Sequence, residues 1–166
     1  LANMSEKLPA WGFRSHGAGE VMALASDGVA VDDAGLVRGD DGAPAFITRM
    51  EQSAGKISGN RIALVGRILR ERAELNAEEW ETVMAPGMCS ASIHIPPGRP
   101  MLPDDCDTSM RDAAEIIRRC LPQYKVKSFT CLSWILNPDW LALLPDSNMA
   151  QFMRKLYLFP IKSAPT

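Results

Sequence analysis

The chain has 166 residues, 18 basic and 20 acidic side chains, a formal net charge of -2 and 46% hydrophobic residues. A chain of that length buries roughly 70% of the surface its unfolded form exposes, so it builds a core without disulfides or a structural metal. The charge balance offers no basic footprint for nucleic acid or an anionic membrane, and no apolar run approaches the roughly 18 residues that a membrane span needs.

Taken in chain order, residues 1–70 carry frequent turn signals: Ser26-Asp27-Gly28, Asp33-Ala34-Gly35, Asp40-Asp41-Gly42 and the polar run 53–60. Residues 21–25 and 29–31 flank the first of these turns and read as a hairpin. In 61–68, Ile62, Leu64 and Ile68 share one face while Ala63, Val65 and Arg67 share the other, the period of a strand. Its expected antiparallel partner is 46–50. A helix is expected from Asn76, where Glu79 completes a capping box, to the stop at Pro86-Gly87.

Strand periodicity returns at 89–95, with Cys89, Ala91, Ile93 and Ile95 on one face and Ser90, Ser92 and His94 on the other. The loop Pro96-Pro97-Gly98-Arg99-Pro100 ends it. Pro103 suits a first helical position, Asp104 and Asp105 complement the positive helix end, and Cys106, Met110, Ala113, Ile117 and Leu121 form an apolar stripe. Residues 128–136 are apolar on both faces, which predicts a central strand covered on both sides. Asn137-Pro138 breaks it, 139–144 make one or two helical turns, and Ser147 or Asn148 caps a last helix carrying Met149, Phe152, Met153 and Leu156. Two strands joined by a helix are most simply parallel with a right-handed crossover. The expected organisation is a strand-rich part over 1–75, either part of this domain or the end of a preceding one, and a strand-helix-strand-helix part over 76–166. The fold class is mixed α/β.

Several sites fall away on spacing. Gly17-Ala18-Gly19 has Met22 where a dinucleotide fingerprint needs its third glycine, so it reads as a loop, and Gly55-Lys56 is followed by Ile57 where a phosphate loop needs Ser or Thr, so it reads as a hairpin turn. Asp104, Asp105 and Asp107 suit a helix first turn better than a cation site. Cys89, Cys106, Cys120 and Cys131 lack a C-x-x-C pair, and the two histidines, His16 and His94, lie far apart. We expect reduced thiols in a cytoplasmic protein with no metal. The chain begins at Leu1 rather than Met, so a longer parent protein is an open expectation.

One chemical candidate remains. His94 lies at the C-terminal end of an expected parallel strand, where open α/β sheets hold ligands, and an imidazole changes charge near neutral pH. A bond to a loop carbonyl would account for His94 equally well. Cys131 and Ser133 on the next strand could reach the same cleft, although a Cys among apolar neighbours is more often inert packing.

Three segments, Ser-Ile-His-Ile-Pro-Pro-Gly (92–98), Phe-Thr-Cys-Leu-Ser-Trp-Ile-Leu (129–136) and Leu-Pro-Asp-Ser-Asn-Met-Ala-Gln-Phe (144–152), together resemble a bacterial family of GNAT-like acyltransferases. Those proteins pair an acyltransferase-associated N-terminal domain with a GNAT-like C-terminal domain, and the likeness runs from about residue 45 to 157. It implies a GNAT-like topology, acyl-CoA as co-substrate and a small-molecule amine as acyl acceptor. Beside His94, the base read from its own position, the resemblance implies Tyr157 as proton donor to the leaving thiolate, and Gly98, Arg99 and Asn148 as carrier contacts. Pro96, Pro97 and Pro100 depart from the amide-rich phosphate cradle of that superfamily, because proline supplies no N–H. A missing segment or second chain would complete the sheet that such a fold needs. Two other functions stand beside acyl transfer: a catalytically silent binding or regulatory module, and a thiol-dependent hydrolase using Cys131 and His94.

Overall fold

A computed structural model describes residues 2–3, 10–37, 43–64, 66–98 and 100–159. The Asp40-Asp41-Gly42 turn, Val65, Arg99 and the C-terminal residues from Pro160 lie outside the described residues. In chain order the strands are β1 (Ala2–Asn3), β2 (Ala10–Ser15), β3 (Val21–Ala25), β4 (Ala30–Val31), β5 (Phe46–Ile47), β6 (Met50–Ser53), β7 (Lys56–Ile62), β8 (Ile68–Asn76), β9 (Trp80–Met84), β10 (Cys89–Ser92) and β11 (Phe129–Thr130). The helices are α1 (Pro103–Cys120), α2 (Trp140–Leu143) and α3 (Asn148–Met153). The chain divides into two compact units, Ser5–Pro86 with Tyr157–Thr166, and Leu1–Met4 with Gly87–Leu156.

The first of these is built on a curled antiparallel sheet in the order β6-β7-β3-β2-β9, with β8 also paired to β7. Register shifts between Gly12 and Phe13 and between Asn60 and Ile62 add local twist. At the first shift the strands come so close that a Cβ on Gly12 would lie 3.2 Å from Met84 Cβ. One cluster collects Phe13, Leu24, Ile57 and Leu75, with Trp11, Met22, Met50 and Trp80 packed around them. Trp11 and Phe13 stack with centroids 6.4 Å apart.

Strand pairing here differs from the sequence expectation in three places, each for a local reason. The Asp27-Gly28 turn does not close a hairpin of 21–25 with 29–31. Buried Thr48 claims it, accepting from Val29 N–H at 2.9 Å and donating to the Ser26 carbonyl at 2.6 Å, so β4 pairs with β5 instead. The strand expected over 61–68 is not one strand: β7 ends at Ile62, the chain turns with Ala63 N–H donating to the Arg67 carbonyl at 2.8 Å, and β8 starts at Ile68. The hairpin partner of β7 is Met50–Ser53, across the two-residue turn Ala54-Gly55. Both turn residues have positive φ, 48° and 78°, the backbone hand that matches strand twist. The helix expected from Asn76 is a β8–β9 turn. The Asn76 side chain does accept a backbone bond, from Glu78 N–H at 3.1 Å, and its carbonyl accepts from Glu79 N–H at 3.0 Å, but both bonds close a turn. The run Trp80-Glu81-Thr82-Val83, rich in strand-formers, then pairs with β2.

In the unit of residues 1–4 and 87–156, β10 lies between antiparallel β1 and parallel β11. As the middle strand it is buried on both faces, with Ser90 at 0% and Ala91 at 6% exposure. The crossover is α1, which begins at Pro103, carries Asp104 and Asp105 in its first turn and Arg118 and Arg119 in its last. Its stripe of Cys106, Met110, Ala113 and Ile117 is half-buried. Helix α3 is capped by Ser147, whose Oγ accepts from Ala150 N–H at 3.1 Å, and buries Ala150, Phe152 and Met153. Lys155 joins Asp107 of α1 at 2.6 Å.

The expected central strand 128–136 shrinks to two residues. Beyond Thr130 the chain leaves the ladder and makes a 3-10 turn at Trp134–Leu136, with Leu132 88% and Trp134 83% exposed. Residues apolar on both faces are therefore not enough to specify a long buried strand here; only Phe129 and Thr130 have a partner strand beside them.

Candidate functional site

The parallel pair is in register at Ala91 opposite Phe129 and Ser92 opposite Thr130. Ala91 N–H donates to the Ser128 carbonyl at 3.0 Å and Ile93 N–H to the Thr130 carbonyl at 2.7 Å. A regular ladder would next use Leu132 N–H and the Ile93 carbonyl. Among the described residues that bond is not made, and the strands part. One chain proceeds through His94 to the Pro97-Gly98 turn and α1, the other through Cys131 and Ser133 to the 3-10 turn.

His94 is exposed immediately past this parting point. Continuing the alternation of β10 puts it on the face of Ser90 and Ser92. In a parallel pair, residues opposite one another share a face, so Thr130 belongs to that face and Cys131 to the other. The hydroxyls agree: Ser90 Oγ lies 3.0 Å from Thr130 Oγ1 across the pair. His94 and Cys131 thus meet at the same strand ends on opposite faces for as long as the alternation holds. Burial raises the Cys131 pKa above its ordinary 9.0, which keeps the sulfur a thiol at neutral pH. Ser133 spends its oxygen as a cap, accepting from Ile135 N–H at 3.4 Å.

The other candidates lie farther off. Gly98 is exposed, with φ of 78° in the turn before α1. Arg99 lies outside the described residues. Asn148 is half-buried as the first residue of α3, in the same unit as His94. Tyr157 belongs to the other unit, where its hydroxyl donates to the Val21 carbonyl. Burial raises its pKa, with Arg61 opposing and Glu20 adding to the rise. Among the described residues no three His, Cys, Asp or Glu side chains cluster so as to hold a metal, and no helix is long and apolar enough to cross a membrane.

The family described as the GNAT-like C-terminal domain matches residues 39–166. The chain belongs to this family. No curated protein and no solved structure matches it. In this GNAT-like domain the mixed α/β architecture, with an antiparallel curled sheet, a crossover helix and a parallel strand pair, is that of the acyltransferase-type fold. Sequence periodicity found β10, although the strand expected over 89–95 ends at Ser92 and His94 stands two residues beyond it. It did not find the Ser90–Thr130 contact or the Leu132 amide, because both depend on the register of β11, for which 128–136 gave no unique signal.

Proposed function

We propose that this domain transfers an acyl group from a CoA-type thioester to a small-molecule amine at the parting of β10 and β11. The observation that carries the reading is the interrupted ladder: Ile93 N–H still reaches Thr130, the next bond is not made, and an exposed imidazole stands one residue beyond. Folds of this type generally bind acyl-CoA, and a strand pair that stops early leaves backbone groups able to receive an extended, amide-bearing carrier.

In the proposed reaction His94, directly or through water, takes a proton from the acceptor nitrogen, which then attacks the thioester carbonyl. The Leu132 N–H donates to the carbonyl oxygen as it gains charge. The tetrahedral adduct collapses with cleavage of the C–S bond, giving an amide, and the departing thiolate takes the proton that His94 received, directly or through water, which restores the neutral imidazole. Gly98 and Asn148 are the proposed carrier contacts from this unit, with Arg99 beside Gly98 in the sequence.

The test is turnover of acetyl-CoA with a panel of amines across pH. His94→Ala is expected to lower kcat by about 100-fold or more, the usual contribution of a general base. Unchanged turnover at every pH would remove His94 as the base.

One observation favours a second reading, a binding module without catalysis. Pro96, Pro97 and Pro100 supply no amides, and Asp104 and Asp105 put negative charge at the start of α1, where a pyrophosphate would otherwise be welcome. Calorimetry with CoA and acetyl-CoA separates the two. Heat of binding at millimolar ligand or below supports the transferase; its absence favours the silent module.

A further inference from the structure

The face of β10 and β11 that points along His94 carries the hydroxyls of Ser90, Ser128 and Thr130. Ser90 is 0% exposed and its Oγ lies 3.0 Å from Thr130 Oγ1. One register step back from Ser92 and Thr130, Ala91 faces Phe129, so Ser90 itself stands opposite Ser128. Yet the Ser128 hydroxyl is buried without a partner among the described residues. Ser90 therefore bonds diagonally, one rung toward the parting point, rather than straight across.

A buried hydroxyl is costly to leave unpaired and its bond is directional, so this contact fixes register where apolar packing would tolerate sliding. Thr130 is held twice at the last rung: its side chain by Ser90 and its carbonyl by Ile93 N–H at 2.7 Å. With β11 only two residues long, little else in the strand pair fixes its place. We propose that the Ser90–Thr130 hydroxyl pair is a positioning device that sets where β10 and β11 part, keeping the Ile93 carbonyl and Leu132 amide presented to a thioester carrier. The pair touches no reacting atom and acts through these backbone groups. The proposal rests on the transferase reading for the identity of the carrier, but not for the effect on the strands.

The experiment uses the full chain and two readouts: amide hydrogen exchange at Ile93, and CoA affinity by calorimetry. Thr130→Val keeps the shape and removes the hydroxyl; Thr130→Ser keeps the hydroxyl. Thr130→Val is expected to speed Ile93 exchange about five- to tenfold, with α3 amides unchanged, and to weaken CoA binding at least threefold. Thr130→Ser is expected to stay within twofold of the parent on both. Ser90→Ala should repeat the Thr130→Val result, and it decides the matter if Thr130→Val does not fold. Exchange at Ile93 that is unmoved by loss of the hydroxyl, or disturbed equally by Thr130→Ser, overturns the proposal. If the parent chain binds no CoA, the transferase reading fails while Ile93 exchange still decides the role of the pair.

Discussion

The two units spend their apolar residues differently. In the curled sheet, Phe13 and Leu24 are fully enclosed, and Ile57, Leu75, Ile62 and Ile68 are nearly so. In the unit of 87–156 only Ala91, Ala150, Phe152 and Met153 among the described apolar residues are buried, and α1 buries none. Leu132, Trp134, Leu143 and Ile116 stand more than half exposed there. The difference separates scaffold from site: one sheet closes around its apolar side chains, while the β10–β11 pair ends after two rungs next to exposed Leu132 and leaves backbone groups for something else to use. Regions that bind and move are drawn from the less tightly packed part of a fold.

The largest effect should come from a core truncation. Phe13→Ala is expected to cost about 3–5 kcal/mol in urea unfolding, while Trp134→Ala, at a site 83% exposed, should stay within about 0.5 kcal/mol. Equal losses would erase the contrast between the units. Next is Asn60, which accepts from Arg49 N–H at 2.9 Å and donates to the Leu69 and Arg70 carbonyls at 3.0 Å, fastening the shifted end of β7. Asn60→Ala leaves those backbone groups unpaired and is expected to lower stability by about 1–3 kcal/mol.

A smaller effect appears at high pH. The folded Tyr157 phenol titrates above its ordinary 10.0, mainly because it is buried. Its protonated form is therefore favoured by folding: the contribution is complete below about pH 10 and is lost as pH rises through the folded value. Tyr157→Phe should flatten that alkaline decline in thermal melts. The smallest effect concerns thiol reactivity. Cys120 is exposed, whereas burial holds Cys131 protonated, so iodoacetamide should label Cys120 first at neutral pH. Rapid labelling of Cys131 instead would revive a thiol-based hydrolase.

Much of the second unit was legible because its signals are local. Pro103 with the stripe through Ile117 marked α1, and Ser147 marked the start of α3, since capping and helical period act within a few residues. What failed depended on distant partners. Asn76 carries a true capping signal, but its oxygen closes a turn because Trp80-Glu81-Thr82-Val83 finds a place beside β2. The hairpin turn at Gly55-Lys56 was legible from its glycine, but the strands it joins were not, because β7 carries Lys56, Ser58, Gly59 and Asn60 through a stretch whose composition reads as loop. At the candidate site, the alternation through Ser90, Ser92 and His94 gave the face, but the partner register gave the chemistry: it sets Thr130 beside Ser90 and leaves Leu132 N–H beyond the last rung.

The most direct measurement is an amide-resolved NMR titration of the full chain with acetyl-CoA. Ile93, His94 and Leu132 are expected to shift most, with Phe13 and Leu24 in the closed core unmoved. Saturable binding that leaves those three amides in place, or no binding at millimolar ligand, would contradict a thioester site at the parted strands.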